Sequence, residues 1–416
     1  MNQTRESSAD YLMDHLAGRY RATQFPYVTP YTNFHELMTA EYSPLIELDA
    51  SNGLSPILRD RIVIEGDGSV TEATGELLVA TGAAAGSTAL LATQERGRYQ
   101  PGIVGIGGHC VRRPIAPTGD QDMWCELGDG IDGARVGEDS AGYYVQFIHG
   151  GTVDDKLYQD DWNIDNLTGN GGTYNVSRAV LDLSFPTIFR VAYTHYGVGP
   201  ATIEAYLFDA EDRIVYVPMH EFRNTTGENF WVNPKLPLRQ YVDNGTTGGN
   251  LELFVGGRHF AVKGRYNPNR RQTPAFSDNK TVPTGDWTPL VSFRKKDLRK
   301  WLARSVKVSG LNVLTTENLN IGIFLGHTLT DAEWGTVPDV QPEETAVEVD
   351  TAATALSGGT LIDGTLAQGG QGNRQNLAGI RGLGVDIPDD TIVTLAARAR
   401  TAQASVGAAF TLEEEA

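Results

Sequence analysis

The sequence predicts an all-β protein whose antiparallel strands pack as a sandwich. The chain of 416 residues contains 47 Gly and 19 Pro, more than a helical protein needs, and residues of this kind separate short strands. Short alternating apolar segments recur roughly every 10–15 residues between residues 60 and 330. No long amphipathic helix lies between them, so parallel βαβ units are not expected.

The first 45 residues differ from the rest. In "DYLMDHLAGRY", Leu12, Leu16 and Tyr20 recur at helical spacing and predict a short helix. The next segment, "TQFPYVTPYTNF", places two prolines among aromatic residues and predicts an extended chain. We assign residues 1–60 to an N-terminal arm. Such an arm either docks on a neighbouring subunit or covers the protein's own core.

Residues 61–335 carry the alternating segments and predict one jelly-roll-like sandwich. "DRIVIEGDGSV" predicts strand, turn and strand, with the turn at Asp67-Gly68. "TIFRVAYTHYGVG" predicts a strand with one inward apolar face. "LELFVGGRHFAVKGRY" predicts a hairpin on Gly256-Gly257, and "LNIGIFLGHTL" closes the series.

An acidic, Pro- and Thr-containing linker is predicted at residues 336–352. Residues 353–416 then predict a small C-terminal β module, with strands at 391–398 and 404–412. This module either stands alone or completes its sheet only within an oligomer.

The basic segment "SFRKKDLRKWLARSVKV" predicts a helix, because Leu298, Trp301 and Leu302 share a helical face. This helix either crosses one end of the sandwich or docks on a partner subunit.

Charge and composition exclude several classes of protein. The net charge is −18, which argues against a nucleic-acid-binding face. The cations are 26 Arg and only 8 Lys. Scarce Lys on an acidic surface is expected in multimolar salt, where the Debye length falls to about 3 Å; an ordinary acidic protein is the alternative. No apolar run reaches the roughly 18 residues of a membrane span, and the first residues do not resemble a secretion signal.

The two cysteines, Cys110 and Cys125, are too few for a disulfide framework. They either bridge neighbouring strands or serve as two small buried apolar residues.

A dense acidic stretch, "DQDMWCELGDGIDGARVGED", offers oxygen ligands for Ca²⁺ or Mg²⁺. The candidate ligands of such a structural cation are Asp120, Asp122, Asp129 and Asp132. Their spacing does not fit an EF-hand loop, and a solvated acidic loop is the alternative. No other cofactor is expected.

The stretch "QDDWNIDNLTGNGGTYN" surrounds one Trp with carboxylates and carboxamides. We interpret Gln159, Trp162, Asn163 and Asp165 as a structural motif: a buried ring holds the loop, and the Asn and Asp side chains accept backbone hydrogen bonds. A cation or glycan site is the alternative.

No catalytic pattern is found, so we do not expect an enzyme. A glycosidase needs two carboxylates that face each other across a cleft, but no strand carries a closely spaced E-x-D-x-x-E array, and Glu204, on a strand, is expected to face solvent. The histidines at 149, 195, 220 and 259 lack metal-ligand spacing. "GIVGIGGHC" matches a nucleotide-binding loop only loosely, because no helix follows.

Several motifs between residues 95 and 270 together resemble one family. In order they are PG at 101–102, RRP at 112–114, "TGDQDMW", Q-x-x-W-N-x-D at 159–165, "VPMH", "NPKLPLR" and "LFVGGRHFAV". This series is similar to virion proteins of tailed bacterial and archaeal viruses, which have a concanavalin A-like or jelly-roll sandwich. The segment "WCELG" departs from the "WGYF" typical of that group.

The resemblance implies a surface-exposed structural protein of a virus particle, on its tail, baseplate or capsid. Its expected partners are copies of itself, other virion proteins and a host-surface glycan, and the composition favours a haloarchaeal host. The competing prediction is a carbohydrate-binding lectin or a glycan-cleaving enzyme.

Overall fold

The computed structural model describes most of the chain after residue 41. The described residues are 42–194, 199–208, 214–223, 230–264, 266–267, 269–297, 304–369, 374–376, 386–389 and 391–415. The helix predicted within the first 45 residues lies outside them. No helix in this described part is long and apolar enough to cross a membrane.

The prediction of an all-β, antiparallel sandwich fold is confirmed. The described residues form two compact units, the first from residues 42–54 and 61–266 and the second from residues 55–60 and 267–415. Two short 3₁₀ turns, Ala50–Asn52 and Gln159–Asp161, are the helical elements described.

Two eight-stranded sheets form the first unit. Its strands are β1 (Tyr42–Asp49), β2 (Asp60–Glu65), β3 (Ser69–Ala73), β4 (Glu76–Ala80), β5 (Thr88–Thr93), β6 (Val104–Arg112), β7 (Asp122–Gly128), β8 (Gly133–Asp139), β9 (Gly142–His149), β10 (Thr152–Val153), β11 (Leu157–Tyr158), β12 (Thr187–Tyr193), β13 (Ala201–Phe208), β14 (Ile214–Phe222), β15 (Leu238–Asp243) and β16 (Glu252–Lys263). Sheet A has the order β14-β13-β12-β6-β16-β4-β3, with β1 also paired to β16. Sheet B has the order β10-β9-β8-β7-β15-β5-β2, with β11 also paired to β9.

Alternation along the strands places one large core between sheets A and B. Phe189, Val191 and Tyr193 of β12 lie in this core, as the sequence predicts, together with Leu127 and Leu238 of sheet B. The opposite face of β12 departs from the usual polar surface of an exposed sheet, because its Arg and Ala side chains are buried as well.

The turn at Asp67-Gly68 joins two layers rather than two paired strands. It connects β2 of sheet B to β3 of sheet A, and the Gly68 N–H donates to the Glu65 carbonyl (3.1 Å). A Cβ at Gly68 would lie 1.9 Å from the Thr88 carbonyl oxygen, so only glycine fits this close approach.

The prediction of a hairpin at Gly256-Gly257 is wrong. β16 runs without reversal through both glycines, and a β-bulge lies between Val255 and Gly257, opposite Cys110. Two consecutive glycines are compatible with a β-bulge as well as with a turn. Here β16 pairs with β6 on both sides of the bulge, so the strand stays extended.

The second unit contains two smaller sheets. Its strands are β17 (Arg270–Val282), β18 (Thr288–Lys295), β19 (Ser305–Thr315), β20 (Leu319–Thr330), β21 (Val347–Asp350), β22 (Ala355–Ala367), β23 (Arg374–Asn376), β24 (Val393–Ala399) and β25 (Ala404–Glu415). Sheet C has the order β17-β25-β19-β23, and sheet D the order β21-β18-β24-β20-β22. Apolar residues of both sheets form a second core, which includes Val306, Phe410, Ile321 and Leu395.

These two units do not follow the boundaries predicted from the sequence. The strands between residues 270 and 330, assigned to the 61–335 sandwich, pair with strands of the 353–416 segment. The 336–352 linker supplies β21, and the 1–60 arm supplies β1. The reason is strand order: β24 lies between β18 and β20, so the C-terminal strands complete their sheets within the chain.

The helix predicted over residues 292–308 is contradicted at both ends. β18 continues to Lys295 and β19 begins at Ser305, so the described flanks are extended strands whose cross-strand pairing prevails over a local helical pattern. Its proposed apolar face, Leu298, Trp301 and Leu302, lies outside the described residues.

Cys110 and Cys125 are both free thiols. Cys110 lies on β6 of sheet A and Cys125 on β7 of sheet B, so they are not neighbours within one sheet. Burial raises the pKa of both thiols, which suits the prediction of small apolar residues.

Replacement of Phe410 should test the second core. Phe410 is fully buried beside Phe293, with ring centroids 5.6 Å apart, so we expect Phe410→Ala to lower the free energy of unfolding by about 3–5 kcal/mol. Urea unfolding followed by circular dichroism measures this loss. Phe276→Ala is the matched control, because Phe276 is 65% exposed in the same unit. Equal losses from the two variants would contradict the core assignment.

Candidate functional site

The four predicted metal ligands lie at the two ends of β7. Asp120 and Asp122 lie at its start, and Asp129 and Asp132 lie in the turn after its end. The seven-residue strand separates the two pairs by about 23 Å. In the described ranges, no group of three or more His, Cys, Asp or Glu side chains is arranged to hold a metal ion.

Protein donors already engage these carboxylates. Asp120 accepts hydrogen bonds from the backbone N–H groups of Thr246 (2.7 Å) and Thr247 (2.8 Å). Hydrogen bonds from both threonines hold the pKa of Asp120 well below its usual range.

Asp129 and Asp132 also accept hydrogen bonds from backbone N–H groups. Asp129 accepts from the backbone N–H groups of Ile131 (3.1 Å) and Asp132 (3.0 Å). Asp132 is fully buried and accepts from those of Gly150 (2.9 Å) and Asn233 (2.7 Å). The four acids therefore fasten separate loops and do not form one cation site.

The Trp-containing loop is held by its own polar side chains. Trp162 is 1% exposed, lies in the core of the first unit and donates from Nε1 to the Leu157 carbonyl (3.0 Å). Asn163 exchanges two 2.9 Å hydrogen bonds with the backbone of Glu221 on β14. Gln159 donates to the Asn166 carbonyl (2.9 Å).

Asp165 organises the second half of the same loop. Its buried carboxylate accepts from the backbone N–H groups of Leu167 (3.0 Å) and Ser177 (2.9 Å) and from the Asn175 carboxamide (2.9 Å). These bonds satisfy the carboxylate within the protein, which supports a structural role for the motif.

A second acidic pair lies on the outer face of sheet B. Asp122 and Asp139 are direct cross-strand neighbours, and the Lys156 ammonium lies 3.2 and 2.8 Å from them. Tyr144 donates to Asp122 (2.8 Å), and Tyr158 donates to Asp139 (3.0 Å).

The pKa values of these two acids diverge. Burial raises the pKa of Asp122. Burial also acts to raise that of Asp139, but hydrogen bonds from Lys156 and the Ala141 N–H outweigh it and lower the pKa. Divergent acids are typical of acid–base catalysis. Here, however, one ammonium bridges both carboxylates, so the cluster fastens the Lys156–Tyr158 segment to the sheet.

The most unusual polar cluster lies on the outer face of sheet A, and the sequence did not predict it. Strand register aligns Glu204, Arg190, Gly108, His259 and Glu47 in one row across β13, β12, β6, β16 and β1. Charged groups from separate parts of the chain therefore meet on one sheet surface.

An ion pair occupies one end of this row. Glu204 and Arg190 are 6% and 7% exposed, and the guanidinium lies 2.7 Å from the Glu204 carboxylate. The expectation that Glu204 faces solvent is therefore wrong. Burial acts against the charge of Arg190, but Glu204 and the two neighbouring tyrosines, Tyr206 and Tyr42, hold its pKa above the usual value.

The same guanidinium positions two tyrosines. It donates to the hydroxyls of Tyr206 (3.0 Å) and Tyr42 (3.4 Å) and lies 5.1 Å from the centroid of the Tyr206 ring. Tyr42 is 47% exposed, and Tyr206 is half-buried. Arg190 therefore fixes aromatic rings at the edge of the cluster.

Glycine makes room for a histidine in the middle of the row. A Cβ at Gly108 would lie 2.1 Å from Cε1 of His259, so the imidazole occupies the space above the Gly108 backbone. Burial and the Arg190 charge lower the pKa of His259 from its ordinary value. The ring is therefore neutral at pH 7.

Two polar groups on this face have no hydrogen-bond partner among the described residues. Lys263 is 9% exposed, and its ammonium lies 5.4 Å from the Tyr42 ring centroid. It makes no ion pair or hydrogen bond within the described parts of the chain, and burial lowers its pKa to about 8. The Thr194 hydroxyl is buried and has no hydrogen-bond partner in the part of the chain that the structure describes. Because unpaired buried polar groups are costly, they suggest a ligand.

We call Tyr42, Arg190, Glu204, Tyr206, His259 and Lys263 the Arg190 cluster. It combines aromatic rings, fixed donors and one carboxylate acceptor on a sheet surface. One signal in the sequence points to it: "IFRVA" and "TIEAY" each place a single charge inside an apolar strand, where an unpaired charge would be costly.

Comparison with known proteins gives distant structural similarity alone. No protein-family model and no curated protein matches the sequence. The carbohydrate recognition domain of Emp47p is 11% identical, with 53% of this chain and 95% of that domain covered and a TM-score of 0.32. Peanut lectin is 8% identical, with 55% and 100% covered and a TM-score of 0.31. A carbohydrate esterase from the Shiga toxin-encoding bacteriophage phi24B is 13% identical, with 54% and 100% covered and a TM-score of 0.31. These scores are too low to carry an argument about function.

Substitution of Asp165 should show whether the Trp-containing loop is structural. Asp165→Asn places an NH₂ group opposite a backbone N–H that now donates to the carboxylate. That hydrogen bond is lost, so we expect the free energy of unfolding to fall by about 2 kcal/mol. Chemical unfolding monitored by tryptophan fluorescence measures the loss. Asp161→Asn, an exposed position in the same loop, should change stability little. A silent Asp165→Asn variant would refute the structural interpretation.

Proposed function

We propose that this protein binds carbohydrate at the Arg190 cluster and does not cleave it. The observation that carries the proposal is the combination of a 47% exposed Tyr42 ring with a fixed Arg190–Glu204 pair at the same place. Sugars present C–H faces that pack on aromatic rings and hydroxyls that need both donors and acceptors.

Preorganisation supports this function. Arg190 is held by Glu204 and by both tyrosine hydroxyls, so its side chain loses little freedom when a ligand binds. Fixed polar groups lower the entropic cost of association. A buried ion pair adds little to stability by itself, so its presence on an outer sheet face favours a role in recognition.

The positions of the carboxylates support binding without cleavage. Along the row that contains the cluster, Glu204 and Glu47 are four strands apart, which corresponds to about 19 Å. Glycosidase carboxylates lie roughly 5–10 Å apart. Glu204 is also engaged by Arg190, so the row lacks two opposed free acids.

A location on a virus particle stays a prediction from the sequence resemblance. Attachment to a host-surface glycan would use the same binding face, so the two hypotheses are compatible. One structural feature is relevant to assembly: β22 is a 13-residue edge strand, largely exposed, with Asp363 as its one charged residue. Unprotected edges of this kind pair with further strands.

A glycan array that displays neutral and acidic oligosaccharides tests the binding function, with calorimetric titration of the ligands it reveals. Loss of ring packing in Tyr42→Ala should weaken binding about fivefold, since an aromatic contact contributes roughly 1 kcal/mol. Tyr174→Ala removes a comparably exposed ring (54%) from the Trp-containing loop and serves as the control. Absence of any bound glycan, or equal effects of both variants, would refute the proposed site.

A further inference from the structure

We infer that the Arg190 cluster selects acidic glycans and that Lys263 receives the sugar carboxylate. This inference rests on the proposed function and specifies its ligand class. It starts from two polar groups of this face that have no hydrogen-bond partner within the described ranges, the Lys263 ammonium and the Thr194 hydroxyl.

Strand register brings these two groups to one place. Lys263 lies opposite Val104 in the β16–β6 pairing. Tyr193, the last residue of β12, lies opposite Gly105 and points into the core. Alternation therefore places Thr194 on the outer face, next to Val104. The Lys263 ammonium therefore provides the donor for a carboxylate at this place, with the buried Thr194 hydroxyl two strands away.

The local charge favours an anion although the whole chain carries −18. At pH 7, two cations, Arg190 and Lys263, lie near one carboxylate, and Arg190 already engages that carboxylate, Glu204. Glu47 pairs with His259, four residues before Lys263 on the same strand, which is about 13 Å along the strand. Lys263 therefore supplies the positive charge that is not neutralised.

A neutral sugar would leave this charge without a partner. The Tyr42 ring already covers one side of the ammonium, so a bound sugar that packs on Tyr42 brings its substituents towards Lys263. A carboxylate at that position forms a charge-assisted hydrogen bond, which is stronger than a bond to a neutral hydroxyl. The geometry therefore favours a uronic-acid type of residue over its neutral counterpart.

The inference predicts a definite pH dependence. Burial lowers the pKa of Lys263 to about 8, so the free protein loses this positive charge as pH rises through 8, and affinity for an anion falls in the same direction. Burial raises the tyrosine pKa values above 10, and that of Arg190 is also raised. That of His259 is lowered from 6.5. The other charged groups that the described strands place on this face are Glu47, Asp49, Glu76, Arg112, Glu204, Glu221 and Glu252.

The test compares a galacturonic acid trisaccharide with the matched galactose trisaccharide. Calorimetric titration at pH 7 and pH 9 uses the full chain and the variants Lys263→Gln, Lys263→Arg and Lys280→Gln. We expect the natural protein to prefer the acidic sugar at least tenfold at pH 7, and this preference to fall about tenfold by pH 9, as deprotonation of a lysine with this pKa requires.

Each variant gives a separate result. Lys263→Gln should abolish the preference for the acidic sugar at both pH values. Lys263→Arg should keep the preference at pH 9, because a guanidinium stays charged. Lys280→Gln is the control, since Lys280 is another partly buried lysine with a lowered pKa, in the second unit. Circular dichroism confirms that each variant is folded.

The outcomes separate this inference from the function on which it rests. Equal binding of the two trisaccharides, or an unchanged preference in folded Lys263→Gln, would overturn the selection of acidic glycans and leave carbohydrate binding intact. Failure to bind either sugar, together with a blank glycan array, would overturn both.

Discussion

The first unit depends on close approach to one glycine-rich strand, β6 (Val104–Arg112), in the middle of sheet A. A Cβ at Gly105 would lie 2.7 Å from the Tyr193 ring, and one at Gly107 would lie 2.8 Å from Leu127 of sheet B. These glycines let core side chains contact the backbone directly. On the opposite face, Gly108 makes the same room for His259. One strand therefore determines both the packing of the core and the floor of the candidate site.

The two faces of sheet A differ in energetic character. The inner face buries apolar side chains, each of which stabilises the fold by roughly 1.5–3 kcal/mol. The outer face buries Arg190, Glu204 and Lys263, and such groups offset much of their attraction by loss of hydration. The acids of the turns, such as Asp132 and Asp165, accept several backbone hydrogen bonds. Among the described residues, Lys263 contacts the Tyr42 ring but makes no hydrogen bond or ion pair, unlike these structural acids.

Local sequence patterns predicted the features that depend on residues close together in the chain. Alternation identified the strands and the inward apolar face of β12, and the Trp162 loop was interpreted from its Asx residues. Pairing between distant strands could not be predicted. In sheet D, β24 lies between β18 and β20, although it is far from both in the sequence. The sequence could not distinguish a Gly256 bulge from a hairpin. The Arg190 cluster spans residues 42 to 263, so no local spacing shows it.

A crystal structure with a bound acidic oligosaccharide tests the central claim, that the outer face of sheet A is the recognition surface, most directly. The account predicts a sugar ring packed on Tyr42, hydroxyls near Arg190 and Glu204, and a carboxylate within hydrogen-bond distance of Lys263 Nζ. A sugar bound elsewhere, such as at the loop around Trp162 or on the second unit, with the Arg190 cluster unchanged and empty, would contradict it.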